Sequence, residues 1–351
     1  MKKTRPVLLL LLSLIAVAVQ AQNPKSEELS KLYNTGEFEK TIEKARGYLI
    51  DDPQNMDYTA VLGRALVDNG QFAEAIEPLK YVAENDNSWR KAWSAGYLGT
   101  AYFMLSDVEN AKAALQTATQ LNITQNATKY AANNWLIFGF HPFFADWQTT
   151  ETTHFRFHFQ NMESGERERF AKSRENAFET INTFFGAVLP KKIDFFVWQS
   201  REDALKIMKT ESGFAQPQYG VIHANYQQTR GHEITHIITG NLAKRQIKTG
   251  LINEGTAVCF DQSSNNREEM VKSWLKANNA KVDIKDIWAN WGKYPQELSY
   301  PLSGLFVEAL LSQFGKEKFL AFFGNQTYEN ALAVFGSETN LLIQEFERRF
   351  N

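Results

Sequence analysis

The chain has 351 residues, 43% of them hydrophobic and 13% aromatic, which makes it too long for one typical domain and apolar enough to bury two cores. Its 38 basic residues stand against 40 acidic ones, a balance that excludes the basic footprint of a nucleic-acid binder. The only cysteine is Cys259, which excludes an internal disulfide and leaves stability to the core.

Residues 1–21 carry Lys2, Lys3 and Arg5, then an apolar run from Val7 to Val19, then Val19-Gln20-Ala21 before Gln22. This is the layout of a secretory signal peptide, and the apolar run is too short to span a bilayer comfortably. Its removal would leave 35 basic against 40 acidic residues and no stable membrane anchor. The expected destination is periplasmic or secreted.

From about residue 27 to 135 the pattern is helix after helix, and three short stretches recur within it. Gly36-Glu37-Phe38, Gly70-Gln71-Phe72 and Ser106-Asp107-Val108 fall 34 and then 36 residues apart. Leu62-Gly63 and Leu98-Gly99 precede the second and third stretches, Ala75 and Ala111 follow them, and Pro53 closes the first unit. Ala75 and Ala111 hold the small position where paired helices would pack closely. The spacing resembles that of tetratricopeptide repeats, in which a helix pair buries its apolar face only against a stacked neighbour and three units are the minimum for stability. The expected repeat domain covers residues 22–140. Two roles are open for it: a concave surface for a peptide or protein partner, or a structural cap on the C-terminal domain.

Aromatic residues, Pro142 and the polar run from Gln148 to Thr153 interrupt the helical period between Phe140 and Thr153, so a domain boundary is placed there. Phe155-Arg156-Phe157-His158-Phe159 alternates strictly and predicts a half-buried strand, with His154 and His158 at surface polar positions. A helix is expected from about Glu166 to Phe185, a second strand over Ile193–Trp198, and a third over Tyr219–Tyr226. This third strand is either a sheet edge that could pair with an extended peptide or an ordinary protected strand. Beyond Glu254 the pattern is almost wholly helical.

The informative segment is His232-Glu233-Ile234-Thr235-His236, with Gly240 as a helix stop and Glu254 eighteen residues past the second histidine. On a helix, residues four apart lie nearly above one another, so His232 and His236 can offer two imidazoles to one metal while Glu233 faces the adjoining cleft. Glu254, from a second helix, would complete a His2Glu ligand set with one position left for water, the donor set of catalytic zinc, one ion per chain. Glu233 is then the general base, returning its proton to the leaving amine. Cys259 reads as a small buried hydrophobe rather than a ligand. His141 belongs to the boundary segment. Asp261 either orients an imidazole through its other ring nitrogen or caps a helix end as a solvated acid.

This constellation resembles the gluzincin metallopeptidases, the class of thermolysin and the zinc aminopeptidases, and most closely the peptidase MA-like domains, over residues 150–351. It includes Asn253-Glu254-Gly255-Thr256-Ala257, the stretch Tyr300-Pro301-Leu302-Ser303-Gly304-Leu305-Phe306-Val307 leading to Phe314-Gly315, and the closing helices near Tyr328 to Phe350. The resemblance implies a zincin-like fold with a small mixed sheet and a helical C-terminal lobe. It also makes Tyr300 the first candidate to stabilise the oxyanion, with His223 the second. The ligand gap is slightly shorter than thermolysin's. No Gly-x-Met-Glu-Asn motif is present to hold a free amine, which favours an endopeptidase over an aminopeptidase.

The expectation is therefore an α+β chain: an all-α repeat solenoid followed by a zinc peptidase that acts on a peptide or protein substrate. The alternative is a repeat-based binding module whose metal domain is catalytically silent. A missing ligand or base would mark that alternative, and none is missing.

Overall fold

The computed structural model describes residues 23–351; the leader expected over residues 1–21 lies outside them. The described residues form an α+β fold, largely helical with one five-stranded mixed sheet, and no helix among them is long and apolar enough to cross a membrane. The chain opens with seven helices: α1 (Pro24–Asn34), α2 (Phe38–Asp51), α3 (Met56–Asp68), α4 (Phe72–Asn85), α5 (Trp89–Met104), α6 (Val108–Leu121) and α7 (Gln125–Ile137). Each packs on its chain neighbour, and α1, α3, α5 and α7 also pack on one another in turn.

The recurring stretches are the turns of this stack. Gly36, Gly70 and Ser106 all have positive φ, at 70°, 80° and 63°, where glycine carries no steric penalty and serine costs about 1 kcal/mol. In each turn the next residue's N–H reaches back to a carbonyl of the preceding helix: Glu37 to Leu32, Gln71 to Leu66 and Asp107 to Tyr102. A fourth copy stands at Gly139, φ 73°, where Phe140 N–H reaches Trp135. No second helix follows it; the short turn Pro142–Phe144 takes that place. Small residues sit where the helices meet. A Cβ on Gly63 would lie 2.6 Å from Leu79 Cγ and one on Gly99 2.6 Å from Leu115 Cγ, while Ala75 and Ala111 are fully buried.

The sheet comprises β1 (Gln148–Glu151), β2 (Phe155–Phe159), β3 (Ile193–Trp198), β4 (Phe214–Gln216) and β5 (Val221–Asn225), in the order β1-β2-β3-β5-β4. β2, β3 and β5 run parallel; β1 and β4 are antiparallel edges. Between them lie α8 (Ser164–Phe185) after β2 and α9 (Arg201–Met208) after β3. The expected strand over Tyr219–Tyr226 is thus an interior strand paired on both sides, which overturns its reading as a peptide-accepting edge. The true edge beside it is β4, three residues long and without an alternating pattern to announce it.

Register divides the sheet into two faces. Phe155, Phe157, Phe159, Phe195, Ile222 and Ala224 face a core shared with α8 and the C-terminal helices. Phe196, Trp198 and Val221 face the repeat stack, in a second core with Phe103, Phe138 and Phe144. The aromatic segment between Phe140 and Thr153 fills this junction. Phe143 stacks on Trp198 with centroids 5.7 Å apart, and Phe144 meets Trp147 edge-on at 5.0 Å.

The remaining chain is helical: α10 (His232–Gly240), α11 (Gly250–Cys259), α12 (Arg267–Asn278), α13 (Ile284–Asn290), α14 (Gln296–Phe323), α15 (Tyr328–Phe335) and α16 (Glu338–Arg348). Helix α14 breaks at Gly315, whose φ of 77° and ψ of 169° are not helical. Before the break, α14 packs along α11.

Candidate metal centre

Helix α10 is set by its apolar face: Ile234, Ile237 and Ile238 are buried in the core with α8 and the front of the sheet. At 3.6 residues per turn, this leaves His232, Glu233 and His236 on the cleft side. No side chain caps its start; instead Gly231 N–H donates to the Asp261 carbonyl at 3.0 Å, tying the helix to the end of α11. The start of α11 is held by Thr249 N–H donating to Gln326 Oε1 at 2.9 Å, and Gln326 is fully buried. A Cβ on Gly255 would lie 2.5 Å from the Ser303 carbonyl oxygen. This glycine seats α11 against α14 and so fixes Glu254 relative to Tyr300.

The result is a convergence. Glu254 Oε2 lies 3.5 Å from His232 Nε2 and 3.4 Å from His236 Nε2, and one donor atom from each of the three residues falls within 4.8 Å of the others. Tetrahedral ligands at about 2.0–2.1 Å from a zinc ion stand about 3.3–3.5 Å apart, so the carboxylate-to-imidazole distances fit that ion. Burial alone would raise the Glu254 carboxyl, but the two imidazoles hold it well below the usual carboxylate range. The carboxylate is therefore present in the charged form that a cation needs.

Glu233 is 6% exposed and lines a cleft of about 480 Å3 together with His232, Gln228, Gly213 and Tyr300. Tyr300, half-buried on α14, has its ring centroid 6.0 Å from that of His232 and meets Trp291 edge-on at 5.2 Å. Burial, then the charges of Glu254 and Glu233, push its phenol up to about 12. It thus keeps its proton at neutral pH and can donate a hydrogen bond into the cleft.

His223 is elsewhere. It is 2% exposed on the repeat-facing side of β5, with Nε2 at 2.9 Å from the Ile137 carbonyl and Nδ1 accepting from Trp198 Nε1 at 3.2 Å. Burial pushes its pKa down to about 3, so it is a neutral core imidazole with both nitrogens engaged. The strand's period of two turns it away from α10, and an oxyanion role is excluded. Asp261 does not reach an imidazole either; its carboxylate pairs with Arg267 at 2.9 Å. His154 pairs with Glu175 at 2.5 Å and His158 with Asp194 at 3.0 Å, so both are partnered and partly buried rather than freely exposed. His141 accepts from Phe143 N–H at 3.2 Å. The Cys259 thiol, pushed up to about 12 chiefly by burial, packs at the edge of the core.

Two neighbours of the site had no assigned role in the sequence. Asn253 sets Nδ2 3.4 Å from His236 Nδ1 and donates to Glu254 Oε1 at 3.1 Å, bracing both candidate ligands from the outside. Its adjacency to Glu254 was the available signal. Gln228 donates from Nε2 to Glu233 Oε1 at 2.5 Å; it lies in a polar loop, and nothing local in the sequence marks it.

No family model and no curated protein matches the chain.

Proposed function

We propose that the chain is an exported zinc-dependent peptidase of the gluzincin kind that cleaves within polypeptides, preceded by tetratricopeptide-like units that bind its substrate or a partner. One observation carries the reading: His232, His236 and Glu254 converge at zinc-like spacing with Glu233 beside them in an open cleft. A zinc ion held by these three residues would supply Lewis-acid activation of a water and of the scissile carbonyl. Glu233 accepts the proton of the attacking water and passes it to the leaving amine as the C–N bond breaks. Tyr300 donates its hydroxyl to the oxygen on which charge develops. Edge strand β4 follows directly on Glu211, Ser212 and Gly213 of the cleft, and its unpaired backbone groups suit an extended peptide.

The repeat reading rests on the recurring turns and on the close contacts at Gly63 and Gly99. Export rests on the composition of residues 1–21.

The test is zinc content and casein cleavage on purified residues 22–351. The expected result is one zinc per chain in wild type and Glu233→Gln, little or none in His236→Ala, and cleavage by wild type alone. The activity loss in Glu233→Gln should reach roughly 10²- to 10⁴-fold. Equal cleavage by Glu233→Gln would remove Glu233 as the base, whereas stoichiometric zinc without cleavage in wild type would favour the binding module.

A further inference from the structure

The connection from β5 to α10 lines the cleft through Gln228 and Thr229, and Gln228 is fixed at three points. Its Nε2 donates to Glu233 Oε1 at 2.5 Å. Its backbone carbonyl accepts from Arg174 Nη2 at 2.9 Å. Its carboxamide lies against Gly213, the residue before β4, where any Cβ would overlap it.

Arg174 makes this arrangement unusual. It is 5% exposed on α8, and burial pushes its guanidinium down to about 10. It lies over the Phe170 ring at 4.0 Å and donates to Ser173 Oγ at 3.0 Å, while its Nε has no partner. No carboxylate among the described residues forms an ion pair with it. Burying a cation without an anion is costly. What this one holds across the molecule is the Gln228 carbonyl.

We propose that Gln228 is a positioning residue for Glu233, admitted by Gly213 and anchored by Arg174; the proposal rests on the hydrolase reading of the site. A carboxylate on a freely turning side chain is a poor base until one oxygen is fixed and the other presented to the water. A hydrogen bond to an ionised acceptor is strong enough to fix it, and a neutral amide does so without supplying an opposite charge.

Three variants test this: Gln228→Ala, Gly213→Ala and the double, measured for zinc content and for kcat and KM on a casein-derived peptide. Each single variant should lose roughly 10- to 100-fold in kcat, the worth of one hydrogen bond to a charged group, with KM and zinc content unchanged. The double should be no worse than Gln228→Ala, because Gly213 acts through the same carboxamide. Additive losses, an unchanged kcat, or a gain in kcat/KM on removing Gln228 would each overturn the proposal, the gain marking a plug. A crystal structure of metal-free Gln228→Ala gives a second readout, with Glu233 expected in more than one rotamer; one unchanged rotamer would also overturn it. If zinc-loaded wild type cleaves nothing, the hydrolase reading fails by itself, and the Glu233 rotamer still decides whether Gln228 positions that carboxylate.

Discussion

The N-terminal helical stack and the C-terminal lobe are built by different logics. In the stack, two structural devices recur about 35 residues on: the left-handed turn at Gly36, Gly70, Ser106 and Gly139, and the close contact of Gly63 with Leu79 and of Gly99 with Leu115. The main contacts among its helices lie between neighbours in the chain or next-but-one. In the lobe nothing recurs. The centre needs α10, α11 and α14 to meet at one point, with Gln326 from beyond α14 holding the start of α11. Periodic structure spreads the consequence of a change over one unit, whereas convergent structure concentrates it on the site.

The same substitution placed in both regions sharpens this contrast. Gly255→Ala would set its Cβ 2.5 Å from the Ser303 carbonyl oxygen and 2.8 Å from the carbonyl carbon, main-chain atoms that cannot turn aside. It should cost about 3 kcal/mol or more and lower zinc affinity and cleavage together, because Glu254 and Tyr300 shift apart. Gly99→Ala meets the buried Leu115 side chain at 2.6 Å and the Ala111 carbonyl oxygen less tightly, at 3.1 Å, and alanine regains about 1 kcal/mol of helix propensity over glycine. A net loss of about 1–2 kcal/mol is expected, with zinc content unchanged. Thermal melts with and without zinc would check both, and zinc loss in Gly99→Ala would break the contrast.

The sequence was legible where it was periodic. The recurring turns of the stack, the alternation at Phe155–Phe159 and the four-residue spacing of His232 and His236 each encode a direction in space through local geometry. It was silent where a role depends on parity across a sheet or on a distant neighbour. His223 lies next to Ile222, yet one residue's difference sends it to the repeat-facing side, a choice set by which face each core occupies. Gln228 acquires meaning from Gly213 and Arg174, both far from it in the chain. The polar strand β1 and the three-residue β4 form because neighbouring strands offer them partners, not because of their own propensity.

The junction between the two regions has its own signature. His223, bonded to Ile137 and Trp198, titrates near 3 in the folded chain against about 6.5 when unfolded. Between those values the unfolded state binds the extra proton, so stability falls as pH falls, by up to about 1.4 kcal/mol per unit. The contribution is complete above pH 6.5 and gone below about 3. His223→Gln keeps a donor for the Ile137 carbonyl and removes the titration. Its denaturant midpoint should therefore depend less on pH between 6 and 4 than that of wild type, and equal slopes would show that the junction opens before His223 is charged.

The smallest expected effect tests whether the two regions communicate at all. The loop joining α10 to α11 touches the first two repeat turns through Lys244, whose Nζ meets Glu39 at 2.9 Å and Asn69 Oδ1 at 3.3 Å. The same loop is held from the lobe's side by main-chain bonds of Ile247 with Gly324 and Gln326. The Lys244 pair is exposed at both ends, and solvent and salt screen such pairs until little remains. The main-chain bonds therefore set the loop, and Lys244→Ala should leave melting temperature, zinc affinity and cleavage at wild-type values across low and high salt. A salt-dependent drop in zinc affinity would instead mean that the stack steers the spacing of His236 and Glu254 through the Lys244 contact, turning a passive junction into a route by which a partner on the stack reaches the candidate metal site.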